Sequence, residues 1–284
     1  MKDVAKSIRQ RLLNLSKTKQ IHYNVILKRY FHERFLYRLS LSPYRKSFYL
    51  KGGALLYALS TQFSRPTIDI DLLGVDIKND QDIILKIFTD ICKIEYPDDG
   101  VVFDPLSIKT AEISVSKKFP GIRITLIAYL DTIRQQLQID VGFGDTSDIQ
   151  TLFYPNLIET LPSVEIYAYS MEYIIAEKFH AMIFLSELNS RYKDFYDVYM
   201  ILKQQNFDQR KLSQAIKFTF KTRNNAYEKN HPLFAETFFS DKNRLFQWRH
   251  FLEKIKVEHI DFEVVMKTIT ANLQPMYLKL LDNE

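Results

Sequence analysis

Two adjacent glycines separate an apolar segment from an apolar, helix-forming run, and Asp-Ile-Asp follows inside another apolar segment. The stretch is "FYLKGGALLYALSTQFSRPTIDIDLLG", Phe48 to Gly74. The chain has only seven glycines in 284 residues, so a pair in one place marks a local demand. "SFYL" is a short strand candidate and "ALLYALSTQF" a helix. Gly52 and Gly53 therefore mark a strand-to-helix junction. Glycine there lets the backbone take unusual angles and come close to a ligand. A helix starting after the pair also presents N–H groups without intrahelical partners, which suit a phosphate. A tight turn that needs glycine for steric reasons alone is the plainer explanation.

"TIDIDLLGV" has the pattern of a strand. Ile68, Ile70 and Leu72 share one face, and Asp69 and Asp71 share the other, because side chains alternate. Two carboxylates on one face repel each other and call for a cation. Mg²⁺ takes oxygen ligands and commonly uses one or two carboxylates together with substrate phosphates. The wet face of an edge strand would explain the two acids without any metal. "LQIDVGFG" puts Asp140 between Ile139 and Val141 on another expected strand. Alone, Asp140 fits a solvent-facing hairpin position. Taken with Asp69 and Asp71, it makes three acids on two neighbouring strands, able to hold two ions roughly 3.5–4 Å apart.

Around this motif the pattern changes along the chain. Residues 1–40 have helical periodicity, and Ser42-Pro43 breaks it. "DQDIILKIFTDICKI" predicts a helix with apolar positions at Ile83, Ile84, Ile87, Phe88 and Ile91. "PLSIKTAEISVS", "GIRITLIAYL" and "QLQIDVGFG" alternate with period two and predict consecutive strands. From about Ser170 the pattern is helical again. Pro155 and Pro162 mark the expected border, giving residues 1–165 as N-terminal helices with a mixed α/β core and residues 166–284 as a helical domain.

The helical half carries its own candidates. In "MEYIIAEKFHAMIFL", Ile174, Lys178, Ala181, Met182 and Leu185 fall on one stripe, so Lys178 points with the apolar face. A buried ammonium needs a partner. A nucleotide phosphate is one option. A neighbouring acid, or snorkelling to the helix edge, is the other. In "RYKDFYDVYMIL", Asp194 shares a stripe with Val198 and Ile201. It could position Lys178, contact a nucleotide or act as a base, or simply be an acid favoured at a helix start. His180, two residues from Lys178, points elsewhere and is expected to be structural or on the surface.

Charge and cysteine content bound the setting. Net charge is +5. Residues 1–51 hold thirteen Lys/Arg against Asp3 and Glu33, a local excess of +11. Tyr23, Tyr30, Phe31, Phe35, Tyr37 and Tyr44 are interleaved with these cations. A basic surface with aromatic platforms suits a nucleic-acid backbone. Solvated helix faces with the aromatics turned inward are the alternative. Cys92 is the single cysteine, which excludes an intramolecular disulfide framework and a cysteine-based zinc site. There is no signal-peptide pattern at the start and no run near 18 apolar residues, so a cytoplasmic protein with no membrane segment is expected.

"KGGALLYALSTQFSRPTIDIDLLG" resembles the first motif of the nucleotidyltransferase superfamily with the DNA polymerase β-like fold. It is more closely similar to the AbiEii/MenT group of toxin nucleotidyltransferases. In that group Gly-Gly precedes an Arg-x-Thr/Ser-x-Asp-x-Asp string, here Arg65, Thr67, Asp69 and Asp71. A lysine-bearing helix and an Arg/Lys-Asp-x-x-Asp segment follow. These match "AEKFHAM" with Lys178, and "RYKDFYDVY" with Arg191, Lys193, Asp194 and Asp197. The resemblance covers about Tyr49 to Met200.

The resemblance implies an α/β fold: a nucleotidyltransferase-like mixed sheet with packed helices, plus a helical C-terminal domain contributing Lys178 and Asp194 to the site. It implies transfer of a nucleotide from an NTP to an acceptor, with pyrophosphate leaving. Asp69 and Asp71 would ligate Mg²⁺, and Asp140 a second ion. Gly52 and Gly53 would start the helix that holds the triphosphate, in a nucleotide site shared with Arg65, Thr67 and Lys178. Group members modify tRNA acceptor ends or bind GTP, which makes RNA, and tRNA in particular, the expected acceptor. The setting would be a toxin–antitoxin or abortive-infection system with a cognate antitoxin. Two other readings stay open: an NTP-binding regulatory module without transfer, and a metal-dependent nuclease. The Gly-Gly helix start suits a triphosphate better than the polynucleotide of the nuclease reading.

Overall fold

Alternating apolar segments pair into one sheet, and segments of helical period cover it or fold separately. The structure is a computed structural model that describes residues 2–60, 65–67, 69–114, 120–144, 148–204, 207–223 and 227–281. The chain forms two compact units, Met1–Tyr169 and Ser170–Glu284.

The first unit is built on strands β1 (Phe48–Lys51), β2 (Ile70–Gly74), β3 (Val101–Ser114), β4 (Pro120–Leu130), β5 (Ile133–Phe143), β6 (Ile149–Tyr154) and β7 (Val164–Tyr169). They form one mixed sheet in the order β3-β4-β5-β2-β1-β7-β6. β2 lies in its middle, antiparallel to β1 and parallel to β5. It is therefore not an edge strand, and a wet edge cannot be the reason for Asp69 and Asp71. Its own Ile70 and Leu72 and its partners Leu50, Ile139 and Val141 are fully buried. β3, β4 and β5 form the expected meander. β6 and β7 complete the sheet beyond the three strands that alternation marks. β6 hides its role because it leaves Ile149 and Phe153 exposed.

Helices α1 (Lys2–Thr18), α2 (Tyr23–Leu41), α3 (Gly52–Leu59) and α4 (Gln81–Cys92) belong to this unit. The helical stretch expected over 1–40 is divided at Gln20, whose φ is +53°. α4 begins where Asp80 Oδ1 accepts from the backbone N–H of Asp82 at 2.9 Å and of Ile83 at 3.0 Å. Ile84, Ile87, Phe88 and Ile91 face the core, while Ile83 is exposed, one position off the expected stripe. Cys92 is buried, and burial pushes its thiol up to about 12, so it carries no reactive thiolate.

α2 decides between the two readings of the basic N-terminal segment. Tyr30, Phe31, Phe35 and Tyr37 are core residues, not exposed platforms. Two of its cations are buried with them. Arg34 Nη2 donates to Glu33 Oε1 at 2.6 Å, and Arg38 forks onto Asp99, with Nη2 3.0 Å from Oδ1. Glu33 Oε2 also accepts from the Leu157 N–H at 2.9 Å. Part of the local positive excess is thus internal structure.

The second unit is helical: α5 (Met171–Leu185), α6 (Tyr192–Gln204), α7 (Gln209–Arg223), α8 (Glu236–Ser240), α9 (Lys242–Ile255) and α10 (Phe262–Leu281). Ser170 starts α5 by accepting from the Tyr173 N–H at 3.4 Å. Ring pairs bind the helices together, among them Phe179–Phe220 at 5.6 Å and Trp248–Phe262 at 5.2 Å between centroids. Among the described residues, no helix is long and apolar enough to cross a membrane.

His180 is part of this core. It is 2% exposed, its ring lies 5.0 Å from that of Phe220, and its Nδ1 lies 3.3 Å from Arg223 Nη1. Burial pulls its pKa down to about 3, and the Arg223 charge acts in the same direction. The neutral ring is therefore favoured by folding. Its contribution is complete above the unfolded value near 6.5 and is lost as pH falls below it. Urea unfolding at pH 7.5 and pH 5 should show a loss for the native protein that is about 2 kcal/mol larger than for His180→Phe. Equal losses would exclude His180 as the acid-sensitive group.

Candidate active site

Three acids meet where β2 runs beside β5. Asp71 and Asp140 are direct partners in the parallel register. Asp69, in the bend just before β2, completes the group. One ligand oxygen from each lies within 4.8 Å of the others, and all three residues are part-exposed. Within β2, Ile70 and Leu72 are buried and Asp71 is part-exposed, while Leu73 beyond it is buried as well. Ile68, expected on the apolar face, lies outside the described residues. Thr67 Oγ1 lies 3.1 Å from Asp69 Oδ1 and 3.2 Å from its carbonyl oxygen, which ties the start of the strand. Three hard carboxylate oxygens facing one point fit Mg²⁺.

The glycines explain how this group is packed. Gly52 has φ +64°, and a Cβ there would lie 1.9 Å from Asp71 Oδ2. A Cβ on Gly53 would lie 2.7 Å from Thr67 Oγ1 and 3.6 Å from Arg65 Nη2. The close approach expected of this pair is thus made to the protein's own acid and to the Arg65–Thr67 segment. Lys51, at the N-cap of α3, makes no side-chain capping bond, and the first N–H groups of a helix have no partner within it. Gly52→Ala should cost at least about 1–2 kcal/mol from its positive φ alone and push Asp71 aside. Urea unfolding measures that cost. Unchanged stability would show that the junction relaxes freely.

Two cations near the acids are not singled out by the sequence. Arg123 on β4 donates from Nε to Asp140 Oδ1 and from Nη2 to Oδ2, both at 2.8 Å. Its pKa is raised, first by its bond to Asp140, with the charges of Asp69 and Asp71 adding and burial opposing. Lys51 on β1 pairs in register with Asp71. A Cβ on Gly142 would come within 3.1 Å of Lys51 Nζ, and Nζ lies 5.9 Å from the Tyr169 ring centroid. Arg123, Asp140, Asp71 and Lys51 are thus successive partners in one row across β4, β5, β2 and β1. Only the register reveals that row. In the sequence, Arg123 is one charge inside an alternating segment.

Lys178 and Asp194 form their own cluster in the second unit. Lys178 Nζ lies 2.6 Å from Asp194 Oδ1 and 2.9 Å from Asp197 Oδ2. Arg191 Nε lies 2.8 Å from Asp194 Oδ2. Asp194 is fully buried. Burial pushes its carboxyl up, but Lys178 and Arg191 outweigh burial and hold it below the usual range. Of the partners considered for Lys178, the acid is present, and there are two of them.

The fold is similar to that of JHP933 from Helicobacter pylori, with a TM-score of 0.51 and 14% identity over 92% of this chain and 95% of that one. A second H. pylori structure, described as a candidate nucleotidyltransferase, aligns with a TM-score of 0.45 and 17% identity over 88% of this chain and 94% of that one. No curated protein matches the sequence. The family model for the nucleotidyl transferase AbiEii toxin of type IV toxin–antitoxin systems matches residues 34–268, from α2 into α10. That span takes in the Gly-Gly junction, all three acids and the Lys178 cluster. The chain belongs to the AbiEii family of nucleotidyl transferase toxins.

Proposed function

We propose that this nucleotidyltransferase moves a nucleotide from an NTP onto RNA, with the tRNA acceptor end as the favoured site, in a Mg²⁺-dependent reaction in the cytoplasm that its antitoxin restrains. The observation that carries this reading is the triad of Asp69, Asp71 and Asp140, with ligand oxygens within 4.8 Å of one another beside the Gly-Gly start of α3. When bound there, Mg²⁺ would neutralise phosphate charge and polarise the reacting phosphorus. The N–H groups at the start of α3 bind the triphosphate, and Arg65 takes a phosphate oxygen. Thr67 holds Asp69 in place. The acceptor hydroxyl oxygen forms a bond to the α-phosphorus, the α–β bridge breaks, and pyrophosphate leaves. Asp140 would hold a second ion and help remove the hydroxyl proton.

Lys178 offers its ammonium to a phosphate oxygen, with Asp194 as its positioning residue; this assignment rests on the family pattern. The RNA reading draws on the exposed cations of α1, among them Lys6, Arg9 and Lys17, since a basic face binds a phosphate backbone. The test supplies each α-labelled NTP in turn with Mg²⁺ and total cellular RNA, with Asp71→Ala in parallel. Label on RNA that is lost in Asp71→Ala supports transfer and names the nucleotide. NTP binding that depends on Asp71, without label, points to a binding module or another acceptor. RNA shortened without any NTP points to a nuclease.

A further inference from the structure

The whole carboxylate of Asp140 is engaged by a cation the protein carries itself. Arg123 grips both oxygens in the planar two-bond arrangement that guanidinium and carboxylate share, at 2.8 Å each. The Asp140 side chain is 17% exposed and that of Arg123 is 42% exposed. Asp140 is thus held within the sheet, while Arg123 has room to turn into solvent. Gln138, two residues along β5, reinforces the grip: with its amide turned to face the guanidinium, its oxygen accepts from Arg123 Nε at 3.3 Å and Nη2 at 3.2 Å.

Charge decides what this contact means. The triad carries three negative charges, and Arg123 and Lys51 carry two positive ones, so a single divalent ion already takes the row past neutrality. A second divalent ion beside Asp140 would face a guanidinium already in contact and leave the site strongly positive, an arrangement opposed at such short range. Two events remove that opposition: departure of Arg123, or arrival of a polyanion.

We propose that Arg123 is the resident counter-cation of Asp140, so that in the nucleotide-free protein the triad accepts one divalent ion, and Asp140 becomes a metal ligand only when Arg123 releases it on arrival of the triphosphate. Arg123 is then a positioning residue that orders the loading of the site. Its role rests on the triad being a divalent-ion site, as proposed above.

The experiment is Mn²⁺ titration of the full chain without nucleotide, with free Mn²⁺ read by electron paramagnetic resonance. Native protein, Arg123→Gln, Arg123→Lys, Asp71→Asn and the Arg123→Gln/Asp140→Asn double variant are compared, each checked by thermal melting. The native protein should bind one Mn²⁺ tightly, and Asp71→Asn should lose it. Arg123→Gln should bind a second ion at least about tenfold more tightly than the native protein does, with Arg123→Lys in between. The double variant should return to one ion. If Arg123→Gln binds no more Mn²⁺ than the native protein, while Asp71→Asn still loses the first ion, the role of Arg123 is overturned and the metal site stands. If no Mn²⁺ binding depends on Asp71, the metal reading falls, and the role of Arg123 with it.

Discussion

Asp71→Asn is expected to lower nucleotide transfer by about a thousandfold or more, the rate equivalent of several kcal/mol of lost metal-ion stabilisation. Asp71 stands at the centre of the charged row, paired in register with Lys51 on one side and Asp140 on the other. Gly52 is shaped around its carboxylate. Asparagine keeps that shape, so the packing against Gly52 survives and only the charge is removed. Stability should hold or rise slightly, because one of three mutually repelling acids is gone. Single-turnover transfer with saturating Mg²⁺, together with a melting curve, separates the two effects. Transfer within tenfold of the native rate would sink the assignment of Asp71 as a metal ligand.

Lys178→Ala is expected to destabilise the helical unit by about 3–5 kcal/mol, the cost of removing the cation that two buried acids share. Asp194 and Asp197 are 0% and 3% exposed, and both rely on the same ammonium. Arg191 remains for Asp194, but its own side chain is 39% exposed and covers one oxygen only. Loss of activity in Lys178→Ala would therefore say nothing by itself about contact with a phosphate. Lys178→Arg keeps the charge and should recover most of the stability. If it folds well yet transfers poorly, the ammonium acts on substrate as well as on structure. A Lys178→Ala variant that unfolds within about 1 kcal/mol of the native protein would show that the two acids are solvated and the pairing weak.

The Gly-Gly junction and Asp69-x-Asp71 were legible because their signals are local. Turn composition, period-two alternation and a helical run each lie within a few residues. Asp140 was legible for the same reason, as an acid interrupting an apolar strand. Arg123 and Lys51 were not, because their meaning lies in which residue stands opposite on the next strand. α2 misleads for a related reason. Its cations suggest a surface, yet Arg38 is satisfied by Asp99, and Glu33 by Arg34 together with the Leu157 amide. Local charge counts cannot see a partner 61 residues away.

The row across β4, β5, β2 and β1 ties toxicity to correct assembly. Side chains alternate between the faces of a strand, so a one-residue slip of β5 would turn Asp140 to the opposite face and put Ile139 or Val141 against Asp71. A misassembled copy would be a silent protein rather than an enzyme of altered specificity. For a member of a toxin family, errors of folding are self-extinguishing.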